Sequence, residues 1–197
     1  MFSFKQAVEF EEASNPHEWF LVASEIHEQV LILSANGFKS SFVSLRDNEG
    51  QQLREWNTNN RTIFLLAGFA LENIIKAYLV YEHPEYVEGG QLSKQLKNHN
   101  LTKLAAKSKF IPYKKRAFNT LMYFEEGLES WARYPCGLNW AQTKSQSILN
   151  ERMWNNYRWL MRVYEKRFKH LMSKGWKGPH SFSGKFVISG DWFDDNI

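Results

Sequence analysis

Residues 61–81, RTIFLLAGFALENIIKAYLVY, constrain this chain more than any other stretch. They are apolar on nearly every side, the pattern of a helix at the centre of a globular domain. The polar exceptions are Arg61 at the start and Glu72, Asn73 and Lys76 near the centre, with Gly68 midway. Glu72 and Lys76 are four residues apart and share a face, with the acidic residue on the favoured N-terminal side. Unpaired charge is costly to bury, so this cluster must be solvated, paired or set against a partner. The same polar residues argue against a bilayer span. The N-terminal MFSFKQAVEFEEAS is acidic and lacks the basic start of a secretory signal, so a soluble, cytoplasmic protein is expected, with no membrane partner.

Other helices flank this one. Asn15-Pro16 reads as an N-cap followed by proline at the first helical position, and Trp19, Ala23, Ile26, Val30 and Leu33 then recur every three or four residues, up to a stop at Asn36-Gly37. Residues 38–56 read as a polar connector with a short helix around residues 43–45 and a turn at Asp47-Asn48-Glu49-Gly50. Thr58, Asn59 or Asn60 caps the central helix, which must end before Pro84. Asn98 or Asn100 caps a short helix carrying Leu101, Leu104 and Ala105, and Pro112 opens the next. There Ala117, Leu121, Phe124, Leu128 and Trp131 form a helical stripe that Arg133-Tyr134-Pro135 breaks. The last long helix runs from about Ser147 to Met172. Met153, Tyr157, Leu160, Tyr164, Phe168 and Leu171 form its apolar face, and Arg158, Arg162 and Lys166 line another.

The expected fold is all-α: an antiparallel bundle of four main helices plus a short one over residues 1–174. A glycine-rich, aromatic tail follows at 175–197, where KFVIS is a candidate strand.

Charge is unevenly spread. The net charge is only +4, but residues 1–28 carry Glu9, Glu11, Glu12, Glu18, Glu25 and Glu28 against Lys5 alone. Residues 89–124 contain no acid, while Lys94, Lys97, Lys103, Lys107, Lys109, Lys114, Lys115 and Arg116 are basic. Such asymmetry suits a polyanion or a charged self-association surface, and a solvated basic face has the same signature. Lys103, Lys107, Lys114, Lys115 and Arg116 are the candidate nucleic-acid patch.

Most familiar chemistry is missing from the sequence. The histidines, His17, His27, His83, His99, His170 and His180, never pair at metal-ligand spacing. No HExxH, phosphate-cradling glycine loop or GxSxG occurs, so no metal and no cofactor is expected. The single cysteine, Cys136, excludes an internal disulfide and reads as an inert loop residue. What remains is Glu72, Asn73 and Lys76 on the central helix, His99 at a helix start, and Arg133-Tyr134 at a helix end. Each also has an ordinary structural explanation, as ion pair, cap or packing residue.

The run FALENIIKAYLV, then NHNLTKLA, then a helix ending WARYP, resembles the HEPN superfamily of helical domains over residues 15–172. The resemblance implies a four- or five-helix bundle, commonly a homodimer. Many members are metal-independent ribonucleases of toxin–antitoxin or phage-defence systems, and others bind RNA or nucleotide without cutting. An antitoxin or nucleotidyltransferase protein is the kind of partner it implies. By resemblance, Arg133 is the arginine of the family's arginine–histidine motif and holds phosphate. The sequence departs from the family where the histidine should stand, since Leu138, Asn139 and Trp140 occupy that window. Asn139 cannot do acid–base work near neutral pH.

The leading expectation is therefore RNA or nucleotide binding, with Glu72, Asn73, Lys76, Arg133 and Asn139 as the ligand-binding set. One alternative is a metal-independent ribonuclease with an altered catalytic group of Arg133, His99 and Tyr134. Another is a helical assembly module in which the polar cluster specifies pairing and no nucleic acid binds.

Overall fold

A computed structural model describes residues 2–35, 42–57, 60–130, 132–134, 136, 138–144 and 150–188. Its long elements are helices: α1 (Phe4–Ala13), α2 (Pro16–Ala35), α3 (Asn60–Glu82), α4 (Leu101–Lys107), α5 (Lys114–Glu129), α6 (Trp140–Lys144) and α7 (Glu151–Ser173). The fold is mostly all-α, with α3 as the residue pattern requires at its heart. Ile63, Phe64, Ala67, Ala70, Leu71, Ile74, Ile75 and Ala77 through Val80 are fully buried. α2, α4, α5 and α7 all pack against this helix, which is why it has no polar face of any width. By length and composition Arg61–Glu82 could cross a membrane, but 78% of its apolar window is buried inside the protein.

Two close approaches set how α5 lies on α3. A Cβ at Gly127 would stand 2.3 Å from Phe64 Cε1, and one at Gly68 would stand 2.8 Å from Leu128 Cγ. Only glycine lets each helix accept the other's large side chain there. Ala117, Leu121, Phe124 and Leu128 are buried as the stripe predicts, while Trp131 lies outside the described residues. α7 is joined to α3 by polar as well as apolar contacts. The Tyr78 hydroxyl donates to the Tyr164 carbonyl at 2.7 Å, and the Tyr81 hydroxyl to the Leu171 carbonyl at 3.1 Å. The apolar face expected for α7 is its buried face, apart from half-buried Met153.

The caps follow their residues. Asn15 Oδ1 accepts from the backbone N–H of His17 (2.9 Å) and Glu18 (3.2 Å) at the start of α2. Asn100 Oδ1 accepts from Lys103 N at 2.9 Å and caps α4. α7 starts at Glu151 behind an Asn150 cap, later than expected, and Ser147 lies outside the described residues. The same is true of Thr58 and Asn59, and of the expected stop at Asn36-Gly37. α1 is an element the hydrophobic pattern did not announce. Its start is a capping box, with Ser3 Oγ and Gln6 N at 3.3 Å and Gln6 Oε1 and Ser3 N at 2.9 Å.

The connector before α3 corrects the expectation of a short helix at residues 43–45. It is a β-hairpin, β1 (Phe42–Arg46) antiparallel to β2 (Gln52–Asn57). The turn was rightly located. Asp47 Oδ1 accepts from Glu49 N (3.0 Å) and Gln51 N (2.8 Å), and Gly50 supplies a φ of +85°. That turn chemistry closes a hairpin, whereas three residues cannot nucleate a helix unaided.

The C-terminal tail docks as far as residue 188. Trp176 is 3% exposed and donates from Nε1 to the Val80 carbonyl at 3.3 Å. β3 (Trp176–Lys177) pairs with β4 (Ser183–Gly184), so the strand falls before KFVIS rather than on it; Ser189 lies outside the described residues. His17 of α2 stacks on Phe186 with ring centroids 4.9 Å apart.

Candidate functional site

Glu72 and Lys76 are both 5% exposed, although they sit one helical turn apart on the central helix. They are paired, with Lys76 Nζ 2.5 Å from Glu72 Oε1. The other carboxylate oxygen, Oε2, lies 2.9 Å from His99 Nδ1. A carboxylate only accepts, so Nδ1 carries the hydrogen. His99 arrives from the segment before α4, where Asn98 Oδ1 holds Asn100 N at 2.7 Å, and its side chain is 53% exposed. On the far side, Lys76 Nζ lies 5.6 Å from the centre of the Trp19 ring. Every charged atom of Glu72 and Lys76 is thus committed inside the protein. Asn73 points elsewhere. Its Nδ2 donates to the Phe69 carbonyl at 2.8 Å, and it lines a hollow of about 320 Å³ with Phe10, Ser14 and Trp19.

Arg133 and Tyr134 form a second group. Both backbone N–H groups donate to the Ser130 carbonyl, each at 3.1 Å, so the chain turns tightly off the end of α5. Arg61 Nη1 donates to the Tyr134 carbonyl at 2.9 Å and ties this turn to the first residues of α3. The Arg133 guanidinium lies 5.7 Å from the Tyr134 ring, and both side chains are exposed. Asn139 uses its backbone carbonyl to receive Thr143 N at 2.9 Å at the start of α6, and its side chain is exposed.

These groups do not converge within one chain. Arg61 anchors Arg133 and Tyr134 at the N-terminal end of α3. Glu72 follows eleven residues later, about 16 Å along the helix axis. The expected catalytic set of Arg133, His99 and Tyr134 is therefore split, with His99 bonded to Glu72. The expected ligand-binding set is split likewise, into Glu72 with Lys76, Asn73, and the Arg133–Asn139 turn. The physical reason is simple: the buried carboxylate needs more than Lys76, and His99 supplies the second bond.

The five residues of the expected basic patch differ in their surroundings. Lys103 and Lys115 are exposed. Lys107 Nζ donates to Gln95 Oε1 at 2.6 Å. Lys114 Nζ folds back on the Ala106 carbonyl (3.4 Å) and the Ser108 carbonyl, capping the end of α4. The Arg116 guanidinium stacks 4.0 Å from the centre of the Trp159 ring of α7. Sequence reading missed what α7 and the α4–α5 turn add to this face. Lys109, Phe110, Tyr113, Lys166, Arg167 and His170 line a groove of about 730 Å³. The row Arg158, Arg162 and Lys166 hinted at it; the partnership with Tyr113 did not show in the spacing.

Other titrating groups are structural. Burial pushes the hydroxyls of Tyr78, Tyr157 and Tyr164 well above the usual tyrosine range. Burial also raises the carboxyl of Glu11, which is 1% exposed, against the opposing pull of His180 Nδ1 at 3.1 Å. Among the described residues no group of three or more histidine, cysteine, aspartate or glutamate side chains could hold a metal ion. Cys136 is a free, exposed thiol. No protein-family model, curated protein or solved structure matches this chain.

Proposed function

We propose that this chain is an HEPN-like domain that binds RNA or nucleotide, as part of a homodimer of the defence or toxin–antitoxin type, and that it does not itself cut RNA. The observation that carries this reading is the Arg61–Tyr134 bond of 2.9 Å. It ties Arg133-Tyr134 to α3 and leaves the Arg133 side chain exposed beside an exposed tyrosine. A guanidinium presented by a braced turn suits a phosphate, because its donors form a planar fork. The basic surface on α4 and α5 adds sequence-independent attraction.

Geometry within one chain supports the non-cutting reading. A base must reach the proton that it takes, directly or through one water. Within one chain His99 is held by Glu72, about 16 Å along α3 from the Arg61 end. Asn139 has no suitable pKa. Incubation of purified protein with RNA in chelator tests this part: intact RNA is expected, and cleavage abolished by Arg133→Ala would establish the ribonuclease alternative instead. Binding is tested by anisotropy of labelled RNA across a salt titration. A large loss of affinity with added salt is expected, and salt-insensitive or absent binding contradicts the reading.

A further inference from the structure

We infer that the groove between the α4–α5 turn and α7 is a second binding site, one that takes a single-stranded polynucleotide with a base stacked on Tyr113 and Phe110. It rests on the nucleic-acid reading above for the class of ligand, but it uses none of the residues of the Arg133 turn. The groove lies at the N-terminal end of α5 and Arg133 beyond its C-terminal end, about 24 Å apart along a sixteen-residue helix.

The groove walls are cationic and aromatic. Lys109, Lys166 and Arg167 share it with His170, Phe110 and Tyr113, and no acidic residue lines it. At about 730 Å³ it is in the size range of small-molecule sites, about 300–1,000 Å³. Its rings are exposed: Tyr113 is 60% exposed and Phe110 37%.

The rings are also held in place before anything binds. Tyr113 sits at φ +54° and ψ +30°, a left-handed conformation that costs energy for an aromatic residue. Its ring leans on Trp159 with centroids 5.7 Å apart, and Trp159 is backed by Arg116 at 4.0 Å. The turn below is pinned by Glu82, which accepts from Lys109 N (2.7 Å), Phe110 N (3.2 Å) and the Ser108 hydroxyl. Phe110 packs edge-on to Tyr81 at 5.9 Å. A strained, braced ring turned to solvent gives nothing to the core, but it spares a ligand the cost of ordering a stacking platform.

Charge chooses the occupant. The lysines and Arg167 favour a polyanion, and flat exposed rings favour one that carries bases. A duplex hides its base faces, so rings of this kind serve an unpaired strand. An acidic peptide would need the cations and not the rings, and a bilayer offers no chain to fill a walled groove.

Anisotropy of a short labelled oligonucleotide, in RNA and DNA forms, tests the inference on the full chain. The ring variants Phe110→Ala and Tyr113→Gly are expected to weaken single-strand binding by about tenfold to a hundredfold each. Glycine tolerates the left-handed φ, and Tyr113→Asn serves as a second variant; circular dichroism confirms that each is folded. Lys109→Glu and Lys166→Glu should each flatten the slope of log affinity against log salt by about 0.7. Preference for RNA or DNA identifies the natural strand. Ring variants that bind as the wild type does overturn the inference, as does equal displacement by the matching duplex, polyglutamate or phosphatidylserine vesicles. Loss confined to Arg133→Ala overturns the groove and leaves the Arg133 site standing. Loss confined to the ring and lysine variants does the reverse, and a wild type that binds no strand removes both.

Discussion

His99 Nδ1 lies 2.9 Å from Glu72 Oε2, and that bond commits the histidine to the central helix rather than to Arg133. Glu72 is thereby held by Lys76 on one oxygen and by His99 on the other, within a helix that is otherwise largely apolar through its middle. Of the cluster that first stands out in the sequence, Glu72 and Lys76 form a buried pair that half-exposed His99 completes. The exposed chemistry lies elsewhere, at the Arg133 turn and along the α5–α7 face.

Breaking this network should cost stability before it costs binding. Lys76→Ala or Glu72→Ala leaves a buried charge short of its partner, and each is expected to lower stability by about 3–5 kcal/mol in urea unfolding. Glu72→Leu with Lys76→Met should recover most of the loss. His99→Ala removes a half-exposed partner and should cost only about 0–1 kcal/mol. Unchanged midpoints in the single Glu72 and Lys76 variants would mean that the pair is solvated.

Gly127→Ala tests how α5 seats on α3. The new methyl would meet Phe64 at 2.3 Å. Overpacking of this kind is expected to lower stability by about 1–3 kcal/mol, read as a fall in the thermal midpoint. Pairing it with Phe64→Leu should return part of that loss, because the obstruction is the far edge of the ring.

Trp176→Ala tests whether residues 175–188 belong to the folded unit. The indole is 3% exposed and bonded to the Val80 carbonyl. Its removal is expected to cost about 3–5 kcal/mol. A change under about 0.5 kcal/mol, the range of surface substitutions, would make the tail an ornament.

Glu11 gives a pH dependence with a defined sign. Burial raises its folded carboxyl above the ordinary 4.5, so in that window the folded state binds more protons than the unfolded one. Its contribution to stability is full below 4.5 and is lost as pH rises through the folded value. Glu11→Gln should therefore flatten the slope of stability against pH over this window. A wild type that gains stability across it through Glu11 would reverse the assignment.

Much of the helical frame was legible in the residues, and the reasons are local. The apolar wrap of residues 61–81 identifies a core helix because no surface helix can be apolar all round. Asn15-Pro16 and Asn100 mark helix starts because their side chains satisfy backbone donors on the spot. α1 was written in Ser3 and Gln6, a capping box without an apolar run behind it, and so was easy to pass over. The hairpin was hidden because residues 42–57 lack clean alternation, and only Asp47 and Gly50 declare the turn. The division of the site was not legible at all. Spacing places Glu72 with Lys76, but which distant residue completes the shell is decided by packing. Likewise the left-handed Tyr113 and its brace on Trp159 join residues far apart in sequence, with nothing in the spacing to announce them.

The most direct measurement is the affinity of a labelled single-stranded RNA for the wild type and Arg133→Ala across a salt titration. Binding that weakens steeply with salt, and weakens at least about tenfold on Arg133→Ala with the fold intact, is the predicted result. Equal affinity of the two proteins at every salt concentration, or no binding by either, would contradict it.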